Sequence, residues 1–415
     1  MLLTGIAGSE ESVDIITDQA QRLTSQFKNS IVQIRVIENK TNKKSSIGSG
    51  FFISQSGLIA SNYHVIASVV QNPERYHLEY VDYQGNTGEV AIVQVDVVHD
   101  LAIVKSDFKP EIFLSLAKES VKQGAKLFSF GNPHDLGLTV VEGTNNGLLE
   151  NTRNEKIHFS GSLNPGMSGG PTLNRLGEVV GINVSTAGNQ ISFLVPAKFL
   201  KNLFDSGMSQ PDLVKSQFDQ QIENQLLSDQ KVFLSRLLSR KWSKESIGNI
   251  ILPTDLGSEF KCWGDSNKKE DRLVDSSLTQ CSTDDNVFID SAFSTGNISY
   301  SYRHIMNREL NQVHFYELYS SYSRIVANNN FGNEEYVTNY QCHSDFVLIE
   351  SKHWRTHTCV RRYKKYPKLY DLIMNTALVS EKDQGMIVTL SAAAVSQPMG
   401  TQFTKRFLQE ISWQN

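Results

Sequence analysis

The chain has 415 residues, 39% of them hydrophobic and 20% charged, and a net charge of −4. At about 150 residues per domain this length predicts two or three domains, and the composition is that of a globular rather than a disordered protein. A mildly acidic chain offers no basic field for nucleic acid. No apolar run approaches the roughly 18 residues that span a bilayer. We therefore expect neither a nucleic-acid partner nor a membrane span.

The sequence of residues 1–28 predicts a short N-terminal segment and, over about residues 12–27, a polar amphipathic helix. In residues 1–8, Gly5 and Ala7 are spaced like the small residues of an export-signal cleavage site. This segment lacks a positive region, and its apolar stretch is shorter than the roughly 7–15 residues of such a signal. It is either the remnant of an export signal or a frayed terminus, and the sequence leaves both interpretations open.

Residues 29–204 consist of short β-type runs separated by turn residues. Runs such as 50–53, 91–98 and 126–130 alternate with turns at 55–57 and 131–133. Strands at this spacing, with almost no helical period between them, predict an all-β barrel or sandwich. A short helix that begins near Pro196 closes this region.

Residues 205–246 predict a helical connector, and residues 247–415 a mixed α+β domain. Apolar residues recur at helical spacing along the connector: Val214, Phe218, Ile222, Leu226, Phe233 and Leu237. We interpret this stripe as a helix packed on one of the domains, with a coiled-coil partner site as the alternative. The last domain holds strand-like runs at 347–349 and 386–390 and a final amphipathic segment.

A serine in a glycine-dense turn is the first candidate catalytic group. Residues 164–171 read Asn-Pro-Gly-Met-Ser-Gly-Gly-Pro and place Ser168 between two β-type runs. Glycines let the backbone turn so that successive N–H groups point into one small space, where they can stabilise an oxyanion. We expect the N–H groups of Gly166 and Ser168 to do this. A plain glycine turn is the alternative.

Two further local sequences supply the partners that such a serine needs. His64 follows a β-type run in residues 61–65, and histidine is suited to take a hydroxyl proton near neutral pH. Asp100 begins an apolar run in residues 99–104, where a carboxylate can accept the other imidazole N–H. Taken singly, each residue has an ordinary structural explanation. Their chain order of His, Asp and Ser within one β-rich region favours a catalytic triad.

Residues 12–204 resemble the HtrA/Deg family of trypsin-like serine proteases, which have the double β-barrel chymotrypsin fold. The likeness extends over several blocks in the right order, namely residues 48–53, 62–65, 100–102, 130–141, 181–183 and 191–196. It implies His64 as general base, Asp100 as its orienting partner and Ser168 as nucleophile. It also implies an oxyanion hole in residues 166–168, that is Gly166, Met167 and Ser168, and it requires no cofactor or metal.

Two departures from the family are visible. Met167 stands where HtrA-type proteases carry asparagine and chymotrypsin-type proteases an aspartate that pairs with a freed N-terminus, so we do not expect activation by N-terminal cleavage. The Pro165-Gly166 pair suggests instead a turn that flips between active and inactive forms. No convincing PDZ motif occurs in residues 205–415, so this part inherits no PDZ function.

By the family pattern, the pocket for the substrate residue before the cleaved bond (P1) has six candidate wall residues: Ser162, Leu163, Val184, Ser185, Thr186 and Ser192. None of them is acidic. A buried Lys or Arg at P1 would lack a partner charge, which is costly. We expect a small or medium apolar P1 residue.

All four cysteines lie in the second half of the chain: Cys262, Cys281, Cys342 and Cys359. Sequential pairing would close two short loops, each worth roughly 3 kcal/mol in the chain-entropy model. Two other connectivities, free thiols, or a metal site with His353, His357 and Cys359 are alternatives. Disulfides would place the chain in an oxidising compartment, which for a bacterial protein of this family is the periplasm or the exterior.

A basic run in residues 361–366 alternates with aromatics and could bind phosphate, although we interpret it as a solvated face. The expected function is a cofactor-independent serine endopeptidase that processes or degrades exported proteins. The C-terminal part would recruit substrate, regulate activity or mediate assembly, which allows a homo-oligomer. A binding or chaperone-like module with a weak protease is the alternative.

Overall fold

The computed structural model describes residues 10–188, 190–207, 217–266, 273–324 and 332–414, with side chains from residue 18. The chain divides into two compact units, one of residues 1–150 and 154–218 and the other of residues 151–153 and 219–415. Residues 1–8 and Val214 lie outside the described residues. The finer division of the sequence into four segments stays a prediction.

The first unit begins with helix α1 (Glu10–Phe27) and continues into a closed six-stranded barrel. Its strands neighbour one another in the order β1-β2-β3-β6-β5-β4, and β4 pairs back onto β1. Helix α2 (Tyr63–Gln71) follows the third strand. The strands are β1 (Ile31–Glu38), β2 (Lys43–Phe52), β3 (Leu58–Ser61), β4 (Tyr76–Val81), β5 (Thr87–Asp96) and β6 (Leu101–Ser106).

A second closed barrel follows, with neighbour order β10-β11-β12-β9-β8-β7. Helix α3 (Ala197–Gly207) ends this region, at the place predicted for the helix near Pro196. The predicted all-β double barrel is therefore confirmed. Its strands are β7 (Lys126–Gly131), β8 (Thr139–Leu148), β9 (Ile157–Phe159), β10 (Pro171–Leu173), β11 (Val179–Thr186) and β12 (Ser192–Pro196).

Apolar residues of both barrels and of helices α1 and α3 form one buried cluster, which includes Leu23, Phe51, Phe130 and Leu200. A second cluster lies within the second barrel and contains Leu127, Phe159, Leu163 and Met167. These side chains point into the barrels because side chains alternate between the two faces of a strand. The polar candidate residues lie in or next to the turns between strands.

The second unit is a mixed α+β fold, as predicted. It contains helices α4 (Gln217–Ser239), α5 (Gln312–Tyr322) and α6 (Gln397–Gln409). Its strands are β13 (Ser243–Ile247), β14 (Ile250–Asp255), β15 (Phe260–Ser266), β16 (Val274–Thr283), β17 (Val287–Asp290), β18 (Phe293–Thr295), β19 (Ile298–Asn307), β20 (Gln341–Ile349), β21 (Lys352–Arg362), β22 (Tyr370–Leu378), β23 (Gln384–Val395) and β24 (Ser412–Trp413).

Seven of these strands form an antiparallel sheet in the order β15-β16-β19-β23-β22-β21-β20. One face of the sheet packs on residues of α4 and α6, including Phe233, Leu237, Phe403 and Phe407. The predicted apolar stripe of the connector is thus buried in a helix, with Ile222 and Leu237 fully inaccessible. No helix in the described part of the chain is long and apolar enough to cross a membrane.

Candidate active site

His64 and Asp100 meet at two points in the first barrel. His64 lies in the first turn of α2, and Asp100 ends the turn between β5 and β6. The backbone N–H of His64 donates to Asp100 Oδ1 at 2.8 Å, and its ring Nδ1 lies 2.6 Å from Oδ2. Asn62 Nδ2 donates to the Asp100 carbonyl at 2.8 Å. These contacts fix both the position and the orientation of the imidazole.

The turn that presents Asp100 has its own support. Asp100 has a φ of 56°, a left-handed conformation that aspartate tolerates better than most residues. The preceding His99 binds Asp96 through its backbone N–H and its Nδ1, at 3.0 and 2.7 Å. The His99 ring also stacks on Phe199 with centroids 3.9 Å apart. Three contacts of His99 therefore hold the segment that leads to Asp100.

Opposing influences act on the pKa of His64. Burial lowers it, while the charge of Asp100 and its hydrogen bond raise it, and the outcome is a pKa above the ordinary 6.5. The imidazolium form is therefore stabilised in this position. A base that must accept a proton during a reaction benefits from such a neighbour.

Ser168 follows a β-turn in residues 164–167. The Met167 N–H donates to the Asn164 carbonyl at 3.0 Å, with Pro165 in the second position and Gly166 in the third. Gly166 has a φ of 97°, which a type II turn requires and glycine adopts without strain. A Cβ there would lie 2.6 Å from the Asn132 carbonyl oxygen, so space as well as φ demands glycine.

The turn leaves two amides unused. Within the part of the chain that the structure describes, the N–H groups of Gly166 and Ser168 donate to no protein acceptor. The carbonyl of Pro165, in the same peptide as the Gly166 N–H, accepts from His134 N at 3.1 Å. That bond fixes the orientation of this peptide. Two free donors beside a serine hydroxyl form an arrangement that can bind an oxyanion.

Met167 differs from its two neighbours. Its N–H is used within the turn, and its side chain is fully buried in the second barrel's apolar cluster. Its Cα also packs closely on Gly131. Of the three residues predicted for the oxyanion hole, Met167 therefore anchors the turn, and the other two carry the available donors.

A first-barrel serine that the sequence analysis did not assign braces the same turn. Ser49 Oγ donates to the Gly166 carbonyl and accepts from Asn132 N, at 2.7 and 2.8 Å. Its backbone N–H donates to the Ser168 carbonyl at 2.7 Å. Ser49 lies in the block 48–53 that carries the family resemblance, but no local pattern indicates this long-range contact.

Asn183 is a second residue without a predicted role. Its Nδ2 donates to the carbonyls of Phe130 and Met167, at 2.9 and 3.2 Å. Its Oδ1 accepts from Ser129 and Thr172, at 2.8 and 2.7 Å. The side chain is completely buried. Asn183 thus satisfies four polar groups around the Ser168 turn at once.

The predicted P1 wall residues are only partly brought together. The Ser168 hydroxyl points to the Val184 carbonyl at 3.4 Å, and buried Ser192 accepts from Leu163 N at 3.2 Å. The Leu163 side chain belongs to the barrel core, so it contributes backbone rather than a wall surface. The other three residues are exposed: Ser162, Ser185 and Thr186.

The cysteines pair sequentially, Cys262 with Cys281 and Cys342 with Cys359, and no free cysteine remains. Each bridge joins residues that face each other directly across β15-β16 or β20-β21. Cys359 is consequently no metal ligand. Among the described residues no cluster of three His, Cys, Asp or Glu side chains could hold a metal.

The basic run at 361–366 is only in part the solvated face that the sequence suggested, since Arg362 and Lys364 are exposed but Arg361 is buried. Arg361 is 9% exposed and binds Asp371 Oδ2 through Nε at 2.7 Å, while Tyr363 and Tyr366 are buried. Strand alternation in β21 turns Arg361 inward, and fully buried Asp371 compensates its charge. The phosphate-binding alternative loses one of the four cations of the run.

Comparisons with known proteins match part of the first unit. A family model described as trypsin-like peptidase domain matches residues 48–182. A probable periplasmic serine endoprotease DegP-like of Rhizobium meliloti is 33% identical over 175 residues, which cover 38% of this chain and 32% of that protein. Serine protease HTRA1 of Xenopus laevis is 34% identical over 160 residues, 36% of this chain and 34% of the relative.

Human serine protease HTRA3 is 33% identical over 163 residues, which cover 37% of this chain and 36% of that protein. A solved serine endoprotease structure from Yersinia pestis covers 46% of this chain and 67% of its own, with 24% identity and a TM-score of 0.40. The chain spans about a third of the length of the curated relatives it matches.

The double barrel and the family match define a trypsin-like peptidase domain in the first unit. Its curated relatives over this region are HtrA and DegP-like serine proteases.

Proposed function

We propose that this protein is a serine endopeptidase that uses Ser168, His64 and Asp100 as its catalytic triad. The observation that carries the proposal is the two-point contact between His64 and Asp100, which aligns the imidazole as a base. The Ser168 hydroxyl attacks the carbonyl carbon of the substrate peptide, and its proton passes to Nε2 of His64. The resulting oxyanion is bound by the N–H groups of Gly166 and Ser168.

Collapse of the tetrahedral intermediate then transfers the proton from His64 to the leaving amine and leaves an acyl-enzyme. Water, deprotonated by His64, hydrolyses this ester and restores the Ser168 hydroxyl. No step needs a metal or a cofactor.

A fluorophosphonate probe tests the proposal directly, because it labels only an activated serine. We expect labelling of the folded full-length chain and none of Ser168→Ala or His64→Ala. Asp100→Asn should label and turn over more slowly by about 10⁴-fold, since the imidazole would adopt the wrong tautomer. Ser46→Ala, an exposed serine on β2, is the matched control and should label like the wild type. Unlabelled but folded wild-type protein would favour the binding-module alternative.

The substrate preference follows from the chemistry around Ser168. No acidic residue occurs among the six candidate P1 wall residues, so a cationic P1 side chain would be buried without a partner. We infer a small or medium apolar P1 residue. A peptide library should give cleavage after residues such as Ala, Val or Leu, and cleavage after Arg or Lys would contradict this inference.

The biological role is proposed from relatives and from the cysteines together. The relative from Rhizobium meliloti is named as a probable periplasmic serine endoprotease, and two disulfides favour an oxidising compartment. We infer processing or quality control of exported proteins in the periplasm or outside the cell. Degradation of unfolded casein would support quality control, whereas cleavage confined to a few folded substrates would support processing.

A further inference from the structure

A polar cavity opens on the seven-stranded sheet of the second unit, on the face opposite α4 and α6. Its volume is about 670 Å³, within the range of small-molecule sites. Strand residues Gln280, Ser282 and Ser299 line it, together with residues of the loops around β17 and β18. Ser282 and Ser299 are direct cross-strand partners, so the two hydroxyls stand side by side.

An exposed tryptophan lies beside this cavity. Trp263 on edge strand β15 is 74% exposed, although tryptophan is highly buried on average. It pairs directly with Gln280, a lining residue, and paired side chains of an antiparallel sheet project from the same face. The adjacent disulfide between Cys262 and Cys281 ties β15 to β16 one residue away. The backbone of Trp263 is therefore fixed directly opposite a residue that lines the cavity.

The strand residues that line the cavity are neutral, and their side chains are available for hydrogen bonding. In the described part of the chain, the side chains of Gln280, Ser282 and Ser299 have no protein hydrogen-bond partner. Hydroxyl and amide groups both donate and accept, as sugar hydroxyls do. Asp284, the lining carboxylate, is paired with Lys261. An anionic ligand would instead need unpaired cations.

We propose that this cavity and Trp263 bind a neutral oligosaccharide. The apolar face of one sugar ring stacks on the indole, and the hydroxyls of the next ring bond to Gln280, Ser282 and Ser299. Tryptophan suits this role because it offers a large, rigid, apolar surface. The site lies wholly within the second unit and is independent of the proposed peptidase activity.

Isothermal titration of the full-length chain tests the proposal with four probes of equal length. Maltotetraose, cellotetraose and chitotetraose are neutral, and tetragalacturonate is anionic. We expect at least one neutral tetrasaccharide to bind with a Kd of about 1 mM or tighter, and tetragalacturonate to bind at least tenfold more weakly.

Variants then locate the site. Trp263→Ala should weaken binding at least tenfold, Trp263→Phe less, and Ser282→Ala by a smaller factor. Phe346→Ala is the matched control, since this aromatic on the opposite edge strand β20 is 64% exposed, and it should bind like the wild type. Absence of binding by all three neutral probes, preference for tetragalacturonate, or equal binding by Trp263→Ala and wild type would each overturn the proposal.

Discussion

The hydroxyl of Ser49 donates to the carbonyl oxygen of Gly166 at 2.7 Å and so joins the first barrel to the turn before Ser168. The two residues are 117 positions apart in the chain. The same hydroxyl accepts from Asn132 N, so one buried side chain holds two segments of the second barrel. The shape of the proposed oxyanion hole therefore depends on the first barrel as well as on its own glycines.

Ser49→Ala should reduce kcat at least tenfold while KM changes little. The variant leaves the Asn132 N–H and the Gly166 carbonyl without this partner, at a cost of about 1–3 kcal/mol in unfolding free energy. Steady-state cleavage of an apolar-P1 peptide and chemical denaturation measure the two effects. Ser46→Ala on the same strand should change neither. Wild-type kcat in folded Ser49→Ala would contradict the bracing role.

The raised pKa of His64 predicts the acidic limb of the activity profile. Neutral imidazole is the reactive form, so kcat/KM should fall below a pH that lies above 6.5. Asp100→Asn removes the influences that raise this pKa, and the limb should move to lower pH while the rate drops. A limb that stays in place in Asp100→Asn would show that another group titrates.

The raised pKa of His64 also predicts how the free energy of unfolding depends on pH. Stability should be favoured at low pH, whereas activity is favoured at high pH. A group whose pKa is raised on folding stabilises the protein when it is protonated. The contribution of the His64–Asp100 pair should be fully present below about pH 6.5, the ordinary histidine value, and disappear as the pH rises through the folded pKa. Unfolding of wild type and His64→Ala at a series of pH values measures it. A difference that grows with pH would contradict the assignment.

Asn183→Ala should destabilise the first unit by about 3 kcal/mol or more, because four buried partners lose their hydrogen bonds together. Fluorophosphonate labelling should slow as well, since Met167 and the turn before Ser168 lose an anchor. Asn146→Ala is the control, because that side chain makes one long bond of 3.4 Å to the Thr144 carbonyl. Equal unfolding free energies for the two variants would exclude this role.

The double barrel could be predicted, and the three candidate catalytic residues could be selected, because their signals are local. Glycines around Ser168, a histidine after a strand and an aspartate before one are each visible in a few residues. Ser49 and Asn183 could not be assigned a role in this way, since their partners are distant in sequence. Arg361 was misjudged for the same reason: its burial depends on Asp371 in the next strand.

The cysteine pairing also could not be determined from local sequence alone. The spacing of the cysteines favours sequential bridges but leaves the two other connectivities open. The strand register decides between them, because Cys262 faces Cys281 and Cys342 faces Cys359 in adjacent antiparallel strands. Such a register follows from the packing of the whole sheet and not from the spacing of the cysteines.

Each disulfide should stabilise one edge of the sheet. The double variant Cys342→Ser/Cys359→Ser should lower the unfolding free energy by about 3 kcal/mol and speed hydrogen exchange in β20. The double variant Cys262→Ser/Cys281→Ser should do so in β15. Each variant is the control for the other, measured by exchange resolved by mass spectrometry. Equal exchange in both strands for both variants would contradict separate edge roles.

The ion pair of Arg361 and Asp371 is buried, so breaking it should cost more stability than breaking an exposed ion pair. Asp371→Asn should cost about 3–5 kcal/mol, since it leaves the Arg361 guanidinium, 9% exposed at its side chain, without its counter-charge. Asp205→Asn breaks the exposed pair with Lys201 and should cost no more than about 1 kcal/mol. Arg361→Met/Asp371→Leu removes both charges and should be less damaging than the sum of the single changes. Denaturant unfolding measures each variant, and an Asp371→Asn cost as small as that of Asp205→Asn would mean that solvent reaches Arg361.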